Sequence, residues 1–466
     1  MSQEQEKQPT NFERESGQAS LAWLGLRFQE MGIWEMLTKQ IEIHQRIHVH
    51  TPMEKLLDEF INILAGGCGT VEINTRIRPD RVVQLGFGRW VCADQSTVNR
   101  TLDACDANTV KQTRQALGQI TQQHGSSLKH DYAKHIQIVD IDLTGIPCGK
   151  HSESAETGYF PGAQHNRHGR QLGRVITSLY DEIIAQRLYA GRLHLDQCLS
   201  QLLADTEYVL HLTDNDNNHE NKRKNTVIRI DAGGGTDEHI NACLSRNYLL
   251  MTKIYNWRRV KKLADTVHIW TADPALPHRQ MSWVGLPHFY DGVTRQLAVR
   301  HRKKNGEWGY SVLVFNLSDV QIATLLNIDA PPPDDALHIM LNTLHFYDLR
   351  GGGIETQNKV DKQGLAIGHR NKHSFIAQDM LILLAQLAHN FIIWIRNQLA
   401  QVNPRFSTFS MTRMTRDVFH IPGTLSLNLD AFDPDNPVRS LAPSLSLNSR
   451  HPYAADFLAA FGCRYE

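Results

Sequence analysis

The sequence predicts an α/β protein in which helices flank a mixed β-sheet, with a helical N-terminal domain and a β-rich insertion. Three observations predict this class. Apolar residues recur at helical spacing from Leu21 to about residue 125, and residues 135–144 have the pattern of a buried strand. Between residues 256 and 330, short stretches alternate in the manner of β-strands.

The sequence of the N-terminal part predicts a disordered tail followed by helices. Residues 1–18 are polar and rich in Gln and Glu, a composition typical of disorder. Further on, Ala93–Arg100 places capping residues before a helix, as at the start of the recognition helix of a helix-turn-helix unit. Arg100 would then reach a phosphate or a base of DNA. A capped helix within an ordinary helical bundle is the alternative.

Two predicted strands carry acidic residues. On the strand 135–144, side chains alternate, so Asp140 and Asp142 share one face with Ile136 and Ile138. An unpaired buried carboxylate is costly, so two acids on a core strand need a partner or a ligand. A second strand, Thr226–Asp231, ends in an acid followed by Ala-Gly-Gly-Gly, whose glycines allow a sharp turn beside a bulky ligand.

A third acid, Glu355, follows the three glycines at 351–353. Lys359 and Lys362 lie four and seven residues further on, so a helix would present all three charged groups on one face. A carboxylate there would hold a hard divalent cation while the lysines meet a phosphate. An ordinary helix start with solvated lysines is the alternative.

These acids together predict a metal site. A strand acid, a strand-end acid and a helix acid are able to hold two Mg²⁺ (or Mn²⁺) ions, which clamp the attacking and leaving oxygens of a phosphodiester. Asp142, Asp231 and Glu355 are the predicted ligands and catalytic residues, and Asp140 is the reserve candidate for the first acid.

The same residues resemble motifs of the cut-and-paste insertion-sequence transposases of the DDE class. Asp142-Leu-Thr144 is similar to the D-x-T strand of that family, and Arg229-Ile-Asp231-Ala-Gly233 to its R-x-D-x-G strand end. The Y-x2-R-x3-E-x6-K signature is matched by a set of four residues with one departure: Tyr347, Arg350, Glu355 and Lys362. Four residues rather than three separate the Arg and the Glu, and a bulge or a break in the glycine run would absorb the extra residue.

The resemblance implies an RNase H-like catalytic domain, and the chain is expected to divide into six segments. These are a disordered tail (1–18), a helical N-terminal DNA-binding domain (19–130), a first part of the catalytic core (131–255), a β-rich insertion (256–333), a second part of the core (334–402) and an irregular C-terminal tail (403–466).

The activity implied is cleavage of DNA at the ends of a mobile element and transfer of the freed 3′-hydroxyl into target DNA. The implied partner is double-stranded DNA (terminal inverted repeats and target), bound by a homodimer. The predicted DNA-contacting residues are Arg100, Arg258, Arg259, Lys261, Lys262, Tyr347, Arg350, Lys359 and Lys362. Two alternatives remain open: a related DNA-binding protein that no longer cuts, and a nuclease that hydrolyses without joining.

Composition limits the other classes. Forty-nine basic residues balance 49 acidic ones, so local basic clusters rather than a global field would attract DNA. Neither a Walker lysine motif nor a dinucleotide fingerprint occurs, which argues against an ATP-driven or redox enzyme. Seven cysteines, never in C-x-x-C spacing, suit a reducing cytosol, and we expect a cytoplasmic, nucleoid-associated protein of a prokaryote. The apolar run 380–395 is interrupted by polar residues and predicts a core helix rather than a membrane span.

Overall fold

The computed structural model describes residues 11–158, 160, 167–213, 219–429 and 437–462. The chain forms two compact units. The first comprises Met1–Gln123, His151–Glu153 and Lys359–Glu466, and the second comprises His124–Lys150 and Ser154–Asn358.

The strands of the described residues are β1 (Asn11–Ser16), β2 (Gln137–Pro147), β3 (Glu156–Thr157), β4 (His168–Thr177), β5 (Glu182–Ala190), β6 (Thr226–Ile230), β7 (Leu249–Lys253), β8 (Thr271–Ala272), β9 (Arg279–Trp283), β10 (Arg295–Arg302), β11 (Trp308–Phe315), β12 (Gly423–Asn428) and β13 (Ser444–Leu447).

The α-helices are α1 (Ala19–Glu30), α2 (Ile33–Gln40), α3 (Pro52–Leu64), α4 (Arg81–Gly86), α5 (Gln95–Asp103), α6 (Ala107–His124), α7 (Leu195–Val209), α8 (His219–Lys224), α9 (Asp237–Ser245), α10 (Trp257–Ala264), α11 (Asp319–Leu326), α12 (Ala336–Arg350), α13 (Thr356–Gly364), α14 (Phe375–Val402), α15 (Met411–Arg413), α16 (Pro437–Ser440) and α17 (Ala454–Phe461).

The second unit is built on a mixed sheet with the strand order β3-β4-β2-β6-β7-β11-β10-β9-β8, and β5 also pairs with β4. The strand β2 is antiparallel to β4 and parallel to β6, and β6 is parallel to β7. The parallel strands β2, β6 and β7 therefore end at the same edge of the sheet, where ligands of open α/β sheets bind. The predicted α/β class with helices around a mixed sheet is confirmed.

The two faces of this sheet are covered by different helices. On one face, Val139 and Ile141 of β2 pack in a core with α7, α9 and α10. On the other, Ile138 packs in a core with α11 and α12. This alternation follows from the two-residue period of a strand, and it places Asp140 on the Ile138 side of the sheet, as predicted.

The segment 256–333 is less separate than predicted. It does contain the strands β8 to β11, but it begins with helix α10 and its strand β11 pairs antiparallel with β7. The predicted insertion therefore continues the central sheet. The unpaired N–H and C=O groups along the outer edge of β7 offer β11 a hydrogen-bonding partner, which explains the continuation.

The first unit contains the N-terminal helices together with α14. Phe28 of α1 lies against Phe60, Phe87 and Phe391, with ring centroids 4.9 to 5.9 Å apart. Helix α14 is long and apolar enough to cross a membrane, but 94% of its most apolar window is buried inside the protein, as predicted for a core helix. The sequence pattern grouped 334–402 with the catalytic sheet, whereas residues from Lys359 onwards belong to this unit.

Both predicted tails contain regular structure where the structure describes them. Residues 1–10 lie outside the described residues, but Asn11–Ser16 forms β1, which pairs with β12 in a sheet of order β1-β12-β13. The expected disorder of residues 11–18 is therefore wrong. The C-terminal segment 403–466, expected to be irregular, supplies β12, β13 and α17.

Candidate active site

Asp142 lies on β2, close to the sheet edge where the parallel strands end. Its side chain is only 14% exposed. Burial raises the pKa of this carboxyl to about 6, an effect that Arg350 opposes and that the neighbouring charges of Asp231 and Glu355 reinforce. Asn358 Nδ2 donates a hydrogen bond of 3.3 Å to Asp142 Oδ2. The environment of Asp142 thus disfavours its charge even with Arg350 beside it.

Asp231 follows β6 directly and begins a turn. Its Oδ1 accepts a 2.6 Å hydrogen bond from the backbone N–H of Ala232, and half of the side chain (49%) is exposed. Gly235, the last of the three glycines after it, is needed sterically, because a Cβ there would collide with the carbonyl oxygen of Lys253. The close approach of these two backbones fixes the position of Asp231 at the end of its strand.

Glu355 is brought to the same place by a π-helical turn. Helix α12 continues without a break into the π turn Gly351–Glu355 and then into α13. A π turn holds one residue more than an α turn, so residues five apart in sequence face the same side. Of the bulge or break predicted for the glycine run, the structure has the bulge, and it sets Arg350 and Glu355 side by side.

The three acids meet at the guanidinium of Arg350. Its Nη1 lies 3.6 Å from Asp142 Oδ1, and its Nη2 lies 3.8 Å from Asp231 Oδ1 and 3.3 Å from Glu355 Oε1. Burial opposes the charge of Arg350, but Tyr347 and the carboxylates raise its pKa above the ordinary value. Carboxylates from a strand, a strand end and a helix therefore surround one cation.

The three acids suit a metal ion by the chemistry of their oxygen atoms rather than by their present positions. Among the residues that the structure describes, no group of three or more His, Cys, Asp or Glu side chains is placed to hold a metal ion as the side chains stand. Three carboxylates nevertheless supply the hard oxygen ligands that Mg²⁺ and Mn²⁺ prefer. Two of them, Asp231 and Glu355, are 49% and 58% exposed, so their side chains have room to rotate.

Asp140, the reserve candidate, has a different environment. Its Oδ1 and Oδ2 accept hydrogen bonds of 2.7 and 2.8 Å from Arg229, and Ser178 donates a further one. Arg229 also donates to the carbonyl of Phe346 at 2.7 Å. Both carboxylate oxygens of the buried Asp140 already accept hydrogen bonds from Arg229. Asp140 is therefore the partner of Arg229 and does not belong to the three-acid cluster.

Two residues of the site were missed by the sequence prediction. Lys253, at the end of β7, holds its Nζ 4.7 Å from the centre of the Tyr347 ring. Burial lowers its pKa, and Asp231 opposes this shift. Its position at the end of β7 could have identified Lys253. The strand β7 runs parallel to β6 and pairs Thr252 with Ile230, so Lys253 comes level with Asp231. Asn358 was detectable too, since it lies three residues after Glu355 on a predicted helix.

The predicted DNA contacts fall into two groups. Tyr347 and Arg350 are buried, and burial also raises the pKa of the Tyr347 phenol. In this conformation their partners are protein groups, so contact with DNA stays a prediction for both. Lys359, which is exposed, and Lys362, which is half-buried, lie on α13 in the first unit, and DNA contact by either also stays a prediction.

The remaining predicted contacts lie on helix surfaces. Arg100 is exposed on α5, whose cap is Asp94, as predicted from the capping residues. The basic cluster after β7 forms helix α10, where Arg258, Lys261 and Lys262 are exposed. Arg259 instead makes an ion pair with Asp237, which leaves it less available to a phosphate.

Comparison with known proteins adds a distant likeness. No protein-family model matches the chain, and no curated protein matches it. A cryo-EM structure of the piggyBac transposase synaptic complex with hairpin DNA matches with a TM-score of 0.46 and 11% sequence identity, over 84% of this chain and 79% of that chain. A likeness this remote carries no argument about function.

Proposed function

We propose that this chain is a DDE-class transposase, which cleaves DNA at the ends of a mobile element and joins the freed 3′-hydroxyl to target DNA. The single observation that carries the proposal is the meeting of Asp142, Asp231 and Glu355 around Arg350. The acids of the three sequence motifs come from distant parts of the chain, and an accidental resemblance gives no reason for them to meet.

The architecture supports an RNase H-like core. The meander β2, β4 and β5 forms the start of the sheet, and β6 and β7 add to it in parallel. The first acid lies on the first strand of the meander, the second at the end of β6, and the third in the π turn that follows α12.

In this proposal Asp142, Asp231 and Glu355 would together hold two Mg²⁺ or Mn²⁺ ions. When bound, the ions stabilise the attacking and leaving oxygens of the phosphodiester. Asn358 orients the Asp142 carboxylate by its hydrogen bond. Lys253, whose charge Asp231 favours, would attract a DNA phosphate to the edge of the sheet. We propose a homodimer on double-stranded DNA in the prokaryotic cytoplasm.

A joining assay tests the proposal. Purified protein, Mg²⁺ and a target plasmid are incubated with a duplex from the DNA that flanks its gene, cut beforehand to expose the 3′-hydroxyl. Covalent joining of that end to the plasmid supports a transposase. Cleavage of an uncut duplex without joining would indicate a hydrolytic nuclease, and binding without either reaction would indicate a DNA-binding protein that no longer cuts.

Helix α10 gives a prediction about DNA affinity. Replacing Arg258, Lys261 and Lys262 with alanine should weaken DNA binding and flatten the slope of log K against log salt by about 0.9 for each phosphate that is no longer neutralised. The matched control is Arg259→Ala, which should change the slope less because Asp237 already neutralises Arg259. Fluorescence anisotropy between low and physiological salt measures both, and an unchanged slope in the triple variant would show that α10 does not bind DNA.

Lys362 gives a second prediction, because it lies two helical turns beyond Glu355. Lys362→Ala should weaken binding of the element end or slow its cleavage by about 1–3 kcal/mol, the loss of a charged hydrogen bond to a phosphate. Lys362→Arg should keep part of this energy, since the charge remains while the geometry changes. Near-wild-type binding and cleavage in both variants would remove Lys362 from the residues that bind DNA.

A further inference from the structure

We propose that Arg350 is an internal counter-ion that divalent metal ions replace: it holds the three acids together in the metal-free protein and moves away from them when metal binds. This inference rests on the proposed function, because it takes Asp142, Asp231 and Glu355 as the metal ligands.

The interactions of Arg350 are those of a shared cation rather than of a closed ion pair. Its distances to the three carboxylates are 3.3 to 3.8 Å. The nearby Arg229–Asp140 pair is bidentate at 2.7 and 2.8 Å, which is the length of a strong charge-assisted hydrogen bond. Among the described residues, Nη1 of Arg350 has no hydrogen-bond partner although it is buried. Arg350 therefore leaves oxygen lone pairs of all three acids open.

The charges of the cluster favour exchange. Arg350 is only 5% exposed and a guanidinium does not deprotonate in proteins, so it needs negative neighbours in order to be buried. Arg350 and Lys253 set two positive charges against the three carboxylates, which leaves an excess of negative charge at the edge of the sheet. This excess attracts further cations, while a divalent ion on the same carboxylates repels the guanidinium.

The backbone beside Arg350 is suited to such an adjustment. Arg350 is followed by the π turn Gly351–Glu355, and a Cβ at Gly352 would meet open space. Glycines adopt many backbone conformations at little steric cost, and π turns are frequent at functional sites. Glu355 is therefore able to turn from Arg350 towards a metal ion without unpacking α12.

Reciprocal coupling makes the inference testable. If metal and Arg350 compete for the same acids, removing Arg350 must tighten metal binding by the amount by which metal weakens the interactions of Arg350. The opposite role, a guanidinium that only pre-arranges the acids for metal, predicts that removing it weakens metal binding. The sign of one measured change separates these two roles.

The experiment titrates Mn²⁺ into the full-length protein without DNA and measures free Mn²⁺ by electron paramagnetic resonance. Arg350→Gln is expected to bind Mn²⁺ about tenfold more tightly than the unchanged protein, within the usual range of coupling between sites. Arg350→Lys, which keeps the charge but not the fork, should fall between the two and serves if the glutamine variant does not fold. The matched control, Arg246→Gln, removes a cation paired with Glu207 and should leave Mn²⁺ affinity unchanged.

Equal or weaker Mn²⁺ binding in both Arg350 variants would overturn the inference while leaving the metal site of the proposed function intact. If neither the unchanged protein nor any variant binds Mn²⁺ at millimolar concentration, the metal ligands themselves are wrong, and the proposed function fails together with the inference. When the unchanged protein binds Mn²⁺, loss of that binding in Asp142→Asn shows that the bound ion lies at the three acids.

Discussion

Replacing any one of the three acids, in Asp142→Asn, Asp231→Asn or Glu355→Gln, should reduce metal-dependent DNA cleavage at least about a hundredfold, equivalent to about 2.7 kcal/mol of transition-state stabilisation. The amide has the shape of the acid but lacks the charge that holds a divalent ion. Binding of DNA should persist, because basic side chains rather than these carboxylates supply its affinity. Cleavage of a labelled duplex and gel-shift titration measure the two effects.

The matched control is Asp205→Asn. Asp205 is an acid of the same unit that pairs with Arg187 away from the three-acid cluster, so its loss should leave cleavage near the original rate. Cleavage within a few-fold of the original rate in one of the three variants would remove that residue from the site. Loss of DNA binding in step with loss of cleavage would instead indicate a general effect on folding.

The second large effect concerns stability. Arg229→Met should lower the free energy of unfolding by about 3–5 kcal/mol, because it leaves Asp140 buried without its counter-ion. The control on the surface, Arg187→Met, removes a partly exposed pair with Asp205 and should cost no more than about 1 kcal/mol. Urea unfolding followed by circular dichroism gives both free energies of unfolding. Equal, small decreases in the two variants would show that the Asp140–Arg229 pair does not stabilise the fold.

Asp142→Asn, unlike Arg229→Met, should not lower the free energy of unfolding at neutral pH. Because the folded-state pKa of Asp142 is raised to about 6, its ionised form is disfavoured in the metal-free folded protein. The folded protein therefore binds more protons than the unfolded chain, so its stability should fall as pH rises from about 4 through 6, and Asp142→Asn should lack this fall. A destabilised Asp142→Asn at pH 7 would show that the charge of Asp142 serves folding.

Sequence could predict those parts of the site that depend on local pattern. The strand period placed Asp140 and Asp142 on one face, and the extra residue predicted a bulge or a break in the glycine run, where the structure has the π turn Gly351–Glu355. The choice between the two aspartates depends on Arg229, whose side chain is on a neighbouring strand. A local sequence pattern cannot predict which of two acids on one face will pair with a basic side chain from a neighbouring strand.

The features that escaped prediction all depend on pairing between distant segments. The strand β1 is a polar sequence, Asn-Phe-Glu-Arg-Glu-Ser, and is a strand because β12 supplies its hydrogen bonds. In the same way β11 joins β7 and extends the central sheet. Arg350 was predicted to bind DNA from its place in the family signature, whereas two of the acids that surround it come from β2 and the end of β6.

The central claim is that Asp142, Asp231 and Glu355 are the ligands of divalent metal ions that serve DNA cleavage. Anomalous diffraction from crystals of the protein grown with element-end DNA and Mn²⁺ tests it most directly. We expect two anomalous peaks about 3.5–4 Å apart, bonded to carboxylate oxygens of these three residues, with the guanidinium of Arg350 withdrawn from them. Saturating Mn²⁺ with no peak at these carboxylates, and with Arg350 still beside all three, would contradict the account.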